Sequence, residues 1–521
     1  MRSRKLLLKL FRIGVIGSSV AGAVFLLQQN DWNPSSIGAV RFGRAAYAAV
    51  RVAVDYKLTK RMLDPNDPSY QKETSNLHLR SALRLRDMCC ANGGAFIKVG
   101  QHIGSLEYLL PMEYVNTMKV LLDKAPESKL EDLYRVIEED LGLKVEDLFS
   151  SFEPRPLGAA SLAQVHRATL KDGQVVAVKV QHPMVKLHSY VDIKTMEFLV
   201  HTMAWFFPDF QYIWLAEETK KNLPKELDFI QEGHNCERVS RMFKKFDFLK
   251  IPKIYWNLTS ERVLTMEFCE GGRVDNLEYM REHHISVSEV TKNLGKLYSE
   301  MIFVQGYVHC DPHPGNVFVN KTPQGTQVIL LDHGLYQMLT DDFRMNYSKL
   351  WISLINADVD GIKKYAEAMN CGNLHGLFAC MLTARSWKAV SAGIDKHEFS
   401  EAEGQEIKEN AANYFIEITD ILNRVPRQML LILKTNDVLR GIESSLKTRA
   451  NATSFINMSR CCVRALAQEE LKRCRTLYCK LRVWTSQHSQ LFKISLYEFY
   501  MWCVSTPLVL YFTHRKKQLY S

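Results

Sequence analysis

"VHCDPHPGNVFVN", residues 308–320, decides how the rest of the chain is read. Two histidines, a cysteine and an aspartate fall between His309 and His313, as they would in a metal site. An H-x-x-x-H pair binds metal when a helix puts both rings on one face. Pro312 and Pro314 stand against such a helix, because proline lacks an N–H and clashes with the preceding turn. The competing reading takes His309, Asp311 and Asn316 as parts of a loop that handles phosphate.

Working outward favours phosphate. H-x-D-x-x-x-x-N is the spacing of the protein-kinase catalytic loop. Upstream, Leu294, Leu297, Tyr298, Met301 and Ile302 form a helical stripe that Gly306 can end. Downstream, "NVFVN", a Pro-Gln-Gly turn and "QVILLDHG" predict a hairpin that returns Asp332-His333-Gly334 beside Asp311, with Asp332 in the D-F-G position. Phosphoryl transfer spreads charge over oxygens, so it needs positioning and charge stabilisation more than covalent chemistry. Asp332 and Asn316 are therefore expected to hold Mg²⁺. Asp311 is expected to accept a proton from the attacking hydroxyl or water, or to orient it, with His309 in the same catalytic loop.

A second set of elements lies upstream. "PLGAASLAQVHRATLKDGQVVAVKV" predicts two strands joined at Asp172-Gly173. Gly158, Ala160, Ala163 and Val165 stand in register with G-x-G-x-x-G-x-V, and Val176-Ala177-Val178-Lys179 matches V-A-I-K. Leu157 to Ser161, Ala163 and Val165 are assigned to the nucleotide. Lys179 is assigned to its α- and β-phosphates, with a share in catalysis. Two of the three loop glycines are alanines, whose Cβ atoms limit backbone approach. "TMEFCEGG", residues 265–272, reads as a hinge where backbone near Glu267 and Cys269 meets adenine. The predicted cofactors are ATP and Mg²⁺.

The chain resembles the UbiB/ABC1/ADCK atypical kinases. Lys98-Val99-Gly100-Gln101 matches K-x-G-Q, Glu226-Leu227-Asp228 matches E-x-D, and Ala159-Ala160-Ser161 sits in the alanine-rich loop. Gly158 departs from the family, where alanine is usual. The resemblance covers residues 80–345. It implies an α+β, bilobal protein-kinase-like fold with an N-terminal helical extension over the cleft and a helical C-terminal region. It also implies that Lys98, Gln101, Glu226 and Asp228 belong to the site and that Glu232 orients Lys179. Gly100 is expected to let the helical extension approach the alanine-rich loop, so that Gly100→Leu would alter nucleotide affinity. The family is tied to mitochondria or plastids, coenzyme Q and lipid handling.

The expected organisation is a targeting segment or anchor (1–30), a helical extension (31–150), a kinase-like domain (151–345, lobes meeting near 270) and a helical region (346–521). In the extension, Leu79, Leu83, Met88, Phe96, Val99 and Ile103 make an apolar stripe broken at Gly93-Gly94. Leu130, Leu133, Ile137 and Leu141 make another, stopped by Gly142. After Asp332-His333-Gly334 there is no A-P-E and no long activation segment. Thr340 caps a helix at once, with Phe343, Tyr347, Leu350, Trp351 and Leu354 on its buried side. His313 stands where serine/threonine kinases carry a lysine. Nucleotide machinery without a peptide platform suits a small-molecule or lipid kinase, or an ATPase. The alternative is a pseudokinase scaffold working through partners.

A net charge of +10 over 521 residues suits anionic partners. The partners expected are a nucleotide, a membrane lipid or isoprenoid-like molecule and a membrane surface, and not nucleic acid. The 12 cysteines form no C-x-x-C and suggest no disulfide framework. "MRSRKLLLKLFR" carries five basic residues and no acid, and an apolar run from Ile13 to Leu27 follows. A mitochondrial presequence and a secretory signal both meet these cues. With the resemblance, the expectation is a mitochondrial, inner-membrane-associated protein, the alternative being the secretory pathway. Sequons at Asn257, Asn320, Asn346, Asn451 and Asn457 offer a test, with Asn320 expected in a hairpin turn.

Overall fold

A computed structural model describes residues 37–64, 67–104, 110–123, 127–207, 213–392, 414–446 and 451–505. The expected targeting segment lies outside them. The chain divides into two compact units, Met1–Gln231 with Ile254–Phe268, and Glu232–Lys253 with Cys269–Ser521.

The first unit opens with helices α1 (Gly38–Met62), α2 (Tyr70–Asn92), α3 (Ala95–Gly104), α4 (Met112–Asp123) and α5 (Leu130–Leu141). Gly93 and Gly94, with φ of +68° and +52°, break α2 from α3 in a conformation that glycine adopts without Cβ strain. Phe96 and Ile97 of α3 pack with Met118 and Leu121 of α4. Leu79 is 44% exposed and Leu77 is buried in its place, while Met88, Phe96, Val99 and Ile103 of the expected stripe pack in the same cluster. Leu133 and Ile137 of α5 are buried as expected, and Gly142 ends that helix in the left-handed region.

Strands β1 (Phe149–Phe152), β2 (Gly158–Ala159), β3 (Ala163–Leu170) and β4 (Val175–Gln181) follow. The Asp172-Gly173 turn joins β3 to β4, with Gly173 at φ +87°. Helices α6 (Val185–Phe206) and α7 (Ile213–Glu226) come next. A buried pair ties α1 to α6, Arg41 Nε donating to Asp192 Oδ1 at 2.8 Å. The chain runs through α8 (Phe229–Met242) and β5 (Leu249–Lys250) and returns to this unit as β6 (Val263–Glu267). The sheet order is β1-β3-β4-β6, with β2 beside β3. Val176, Val178 and Val180 of β4 cover Leu133 and Ile137.

The second unit contains β7 (Gly272–Arg273), α9 (Leu277–Glu282), α10 (Val287–Ser299), β8 (Tyr307–His309), β9 (Val317–Thr322), β10 (Gly325–Leu330) and β11 (Tyr336–Met338). Its sheets are β5-β10-β9-β7 and β11-β8. The β9–β10 hairpin forms as expected, but its turn lies between Thr322 and Gly325. Asn320 therefore sits inside β9, opposite Gln327, rather than in the turn. The helix after Leu294 widens into a π turn over Glu300–Gln305, ended by Gly306 at φ +64°. Four successive residues, Glu300 to Phe303, are buried there, so this turn is enclosed on every side.

Helices complete the unit: α11 (Asp341–Ile355), α12 (Val359–Glu367), α13 (His375–Thr383), α14 (Trp387–Ala392), α15 (Phe415–Arg424), α16 (Arg427–Ser445), α17 (Asn451–Arg473) and α18 (Leu477–Ser505). Thr340 caps α11 by accepting from the Phe343 N–H, and Phe343, Tyr347, Leu350, Trp351 and Leu354 are all buried. A disulfide joins Cys474 to Cys479 between α17 and α18. It is a single local bridge rather than a framework, and the other described cysteines are not bridged.

Candidate nucleotide and phosphoryl-transfer site

In the first unit the alanine-rich loop is a tight hairpin. Gly158 and Ala159 pair with Val165 and Gln164. The Leu157 N–H donates to Val165 O, and Ala160 N–H to Ala163 O, both at 2.8 Å. Ser161 is buried, and its Oγ donates to Gln101 Oε1 at 3.2 Å. Gln101 in turn donates to Leu121 O at 2.8 Å. Leu162 joins the apolar cluster that holds Phe96 and Ile97. The K-x-G-Q helix thus rests on the alanine-rich loop through Gln101 and not through Gly100. A Cβ at Gly100 would collide with Leu121 Cδ1 on α4, within the helical extension. Gly100 is therefore a packing position, and Gly100→Leu would overpack the extension. Gly158 faces open space, so the family's usual alanine would fit there.

Lys179 lies on β4 opposite Val165 and Leu264, with its Nζ 5.0 Å from the Phe229 ring centroid. Glu267 closes β6 opposite Val176. Lys98 and Glu226, from the two family motifs, form an ion pair at 2.5 Å with side chains 13% and 9% exposed. Asp228 has a separate task. Its Oδ1 accepts from the Gln231 N–H at 3.1 Å and so caps α8.

In the second unit the catalytic-loop residues converge. His309 to His313 are not helical, and His309 ends β8, opposite Tyr336 of β11. Asn316 N–H donates to His313 O at 2.7 Å, and Asn316 Nδ2 donates to Asp311 O at 3.2 Å. Leu331 N–H donates to Asn316 O at 3.0 Å, which binds the loop to the strand leading into Asp332. Asp332 Oδ1 accepts from the Gly334 N–H at 2.9 Å.

The backbone around Asp332 is held by side chains from two elements, β8 and α8. His309 Nε2 donates to Asp332 O at 2.9 Å. Its Nδ1 accepts from Tyr298 Oη, also at 2.9 Å. Glu232 Oε1 accepts from His333 N–H at 3.3 Å, and Asn235 Nδ2 donates to His333 O at 2.9 Å. His333 Nδ1 accepts from Tyr336 Oη at 2.9 Å. His309 is fully buried. Burial lowers its pKa, against the opposing pull of Asp332 and Asp311, which favours a neutral ring. This corrects its assignment as catalytic: it positions Asp332 rather than meeting substrate. Cys269 is half-buried and opens the segment that re-enters this unit.

The donor set fits a hard cation. Asn316 gives its amide N–H₂ to Asp311 O, so its Oδ1 is the atom left to face a metal, and Asp332 adds carboxylate oxygen. Among the described residues no three His, Cys, Asp or Glu side chains form a closed metal cage. Mg²⁺ commonly takes one or two carboxylates and completes its shell with water and phosphate. Sequence reasoning missed Asn235, Tyr298 and Tyr336. It also missed Lys434 of α16, whose Nζ lies 3.3 Å from Asp311 Oδ1.

Residues 120–366 match the family model described as the ABC1 atypical kinase-like domain. The chain is 52% identical over 493 residues to AarF domain-containing protein kinase 1 of Gallus gallus, covering 94% of this chain and 95% of that one. It is 52% identical over 480 residues to the protein of that name from Mus musculus, covering 92% and 91%. It is 48% identical over 506 residues to AarF domain-containing kinase 1 of Drosophila melanogaster, covering 95% and 97%.

Proposed function

The chain belongs to the ABC1 atypical kinase-like family, and on that premise we propose that it is a Mg²⁺-ATP-dependent phosphotransferase or ATPase acting on a lipid or isoprenoid-like small molecule. One observation carries the reading. Asn316 is hydrogen-bonded to Asp311 O and to the Leu331 N–H, so the proton acceptor and both metal-ligand candidates belong to one bonded unit. When bound, Mg²⁺ would neutralise phosphate charge, held by Asn316 and Asp332. Asp311 takes the proton of the attacking hydroxyl or water. Lys179 binds nucleotide phosphate. His309, Glu232 and Asn235 fix the backbone around Asp332.

The substrate class rests on the segment after Asp332. The chain passes through β11 and enters α11 at Asp341, leaving little length for a peptide platform. Incubating the full chain with Mg²⁺-ATP, with and without phospholipid vesicles carrying an isoprenoid quinone, should release ADP. Asp311→Asn should lower that rate about 100-fold or more. A wild-type rate equal to that of Asp311→Asn would overturn the reading.

Membrane association and a mitochondrial role in lipid or coenzyme Q homeostasis belong to the same proposal. On α18, Leu477, Tyr478, Leu481, Trp484, Phe492, Leu496 and Phe499 are exposed along one stripe. No acid occurs between Glu470 and Glu498, where Lys472, Arg473, Arg475, Lys480, Arg482 and Lys493 lie. An aromatic stripe beside basic residues suits a helix lying in an anionic headgroup layer. Among the described residues no helix is long and apolar enough to cross a membrane. Asn257, in an exposed turn, is the better sequon for distinguishing compartments. Protein from its native cell type should run at one gel mobility before and after glycosidase treatment. A mobility change would place the chain in the secretory pathway and sink the mitochondrial proposal.

A further inference from the structure

Catalytic loops of serine/threonine kinases carry a lysine two residues after the aspartate. Here that position is His313, and the loop turns it to another use. Its Nδ1 accepts from the Gly315 N–H at 3.1 Å, closing a turn within the loop. A ring nitrogen engaged as an acceptor carries no proton and offers no cation from that atom.

A cation nevertheless reaches Asp311 from far along the chain. Lys434 Nζ stands 3.3 Å from Asp311 Oδ1, with side chains 13% and 24% exposed. The helix that carries it is pinned along its length. Gln428 Oε1 accepts from the Thr340 N–H at 3.0 Å. Thr435, the residue after Lys434, is fully buried. Asn436 Nδ2 reaches Tyr347 Oη at 3.5 Å, and Arg440 donates to Leu382 O at the end of α13. A lysine whose stem is buried on an anchored helix is preorganised, so its charge needs little reordering during reaction.

We propose that Lys434 supplies in space the positive charge that the catalytic loop lacks in sequence, aiming Asp311 and offsetting the charge of the transferring phosphoryl group. This rests on the phosphotransfer reading above. In the reaction, an acceptor hydroxyl or water oxygen forms a bond to the γ-phosphorus of ATP. The bond from that phosphorus to the β,γ-bridging oxygen breaks, and its electron pair leaves with ADP. The acceptor proton passes to Asp311. Lys434 exchanges no proton; it fixes the Asp311 carboxylate and lies beside the charge that moves. A group acting this way matters for turnover and little for nucleotide binding, which Lys179, Asn316 and Asp332 serve.

The test uses the full chain with Mg²⁺-ATP and water as the acceptor, read as phosphate release. Lys434→Met should lower kcat about 100-fold, while the KM for ATP and the thermal stabilisation by Mg²⁺-ATP stay within about twofold of wild type. Lys434→Arg should recover much of the rate. Adding His313→Lys to Lys434→Met should also recover rate, by returning the cation to the loop. If Lys434→Met does not fold, Lys434→Gln is read in the same way. Wild-type turnover in Lys434→Met, equal losses of turnover and nucleotide binding, or no recovery in Lys434→Arg would overturn the inference. Failure of the underlying reading looks different, because wild type itself would then release no more phosphate than Asp311→Asn.

Discussion

Asp332→Asn should abolish stabilisation of the chain by Mg²⁺-nucleotide. A ligand that binds only the folded state at about a hundred times its Kd raises stability by about 2.7 kcal/mol, and that rise should vanish in the variant. Asparagine keeps the size of the side chain and an oxygen able to accept from the Gly334 N–H, the local bond at Asp332 Oδ1. The unliganded melting temperature should therefore move little, while the shift on adding Mg²⁺-ATP disappears. Adding ATP with a chelator to wild type should mimic the variant. An undiminished shift in Asp332→Asn would remove Asp332 from the metal site and leave Asn316 without its partner ligand.

The second large effect lies outside the site, at Glu300 in the π turn. Only 1% of this residue is exposed. Lys245 Nζ approaches Oε1 at 2.6 Å, and Arg464 of α17 bonds Oε2. Burial pushes the carboxyl pKa up, but the two cations outweigh it and hold the group below its ordinary 4.5. A carboxylate depressed in the folded state contributes stability that is complete above its unfolded value. That contribution is lost as pH falls toward and through the folded value. Glu300→Gln should cost about 1–3 kcal/mol near neutrality, since both cations remain beside a neutral amide and both are partly exposed. The gap in melting temperature between wild type and variant should close as pH is lowered below 4.5. A gap that stays constant across that range would mean the carboxylate charge is not what the two cations stabilise.

Short-range chemistry was legible in the sequence. Gly173 and Gly306 mark places where the backbone needs positive φ, and Thr340 offers an oxygen to the first turn of α11. The spacing from Asp311 to Asn316 closes a loop whose bonds span only a few residues. Pairings set by tertiary packing were not legible. Lys434 is 123 residues from Asp311, Asn235 is 98 from His333, and Arg464 is 164 from Glu300. No local periodicity or motif links such positions, because the fold alone brings them together. Gly100 was misjudged for a related reason. Its motif suggested a partner in the loop, yet a glycine's neighbour depends on which face of the helix is covered, and that face meets Leu121. Asn320 was misplaced because the Pro-Gln-Gly turn is tighter than its flanking composition suggests.

The division of the chain into two discontinuous units limits how the gene can be cut. A fragment beginning at Cys269 would look like a natural half, since it holds Asp311, Asn316, Asp332 and Lys434. It would lack residues 232–253, and with them Glu232 and Asn235, which grip His333. It would also lack β5, the parallel neighbour of β10. The complementary fragment ending at Phe268 would carry that excised stretch as an unpaired passenger. Neither piece is a self-contained module, so deletion series and split-protein reporters based on a single breakpoint would report misfolding rather than the loss of one unit's role.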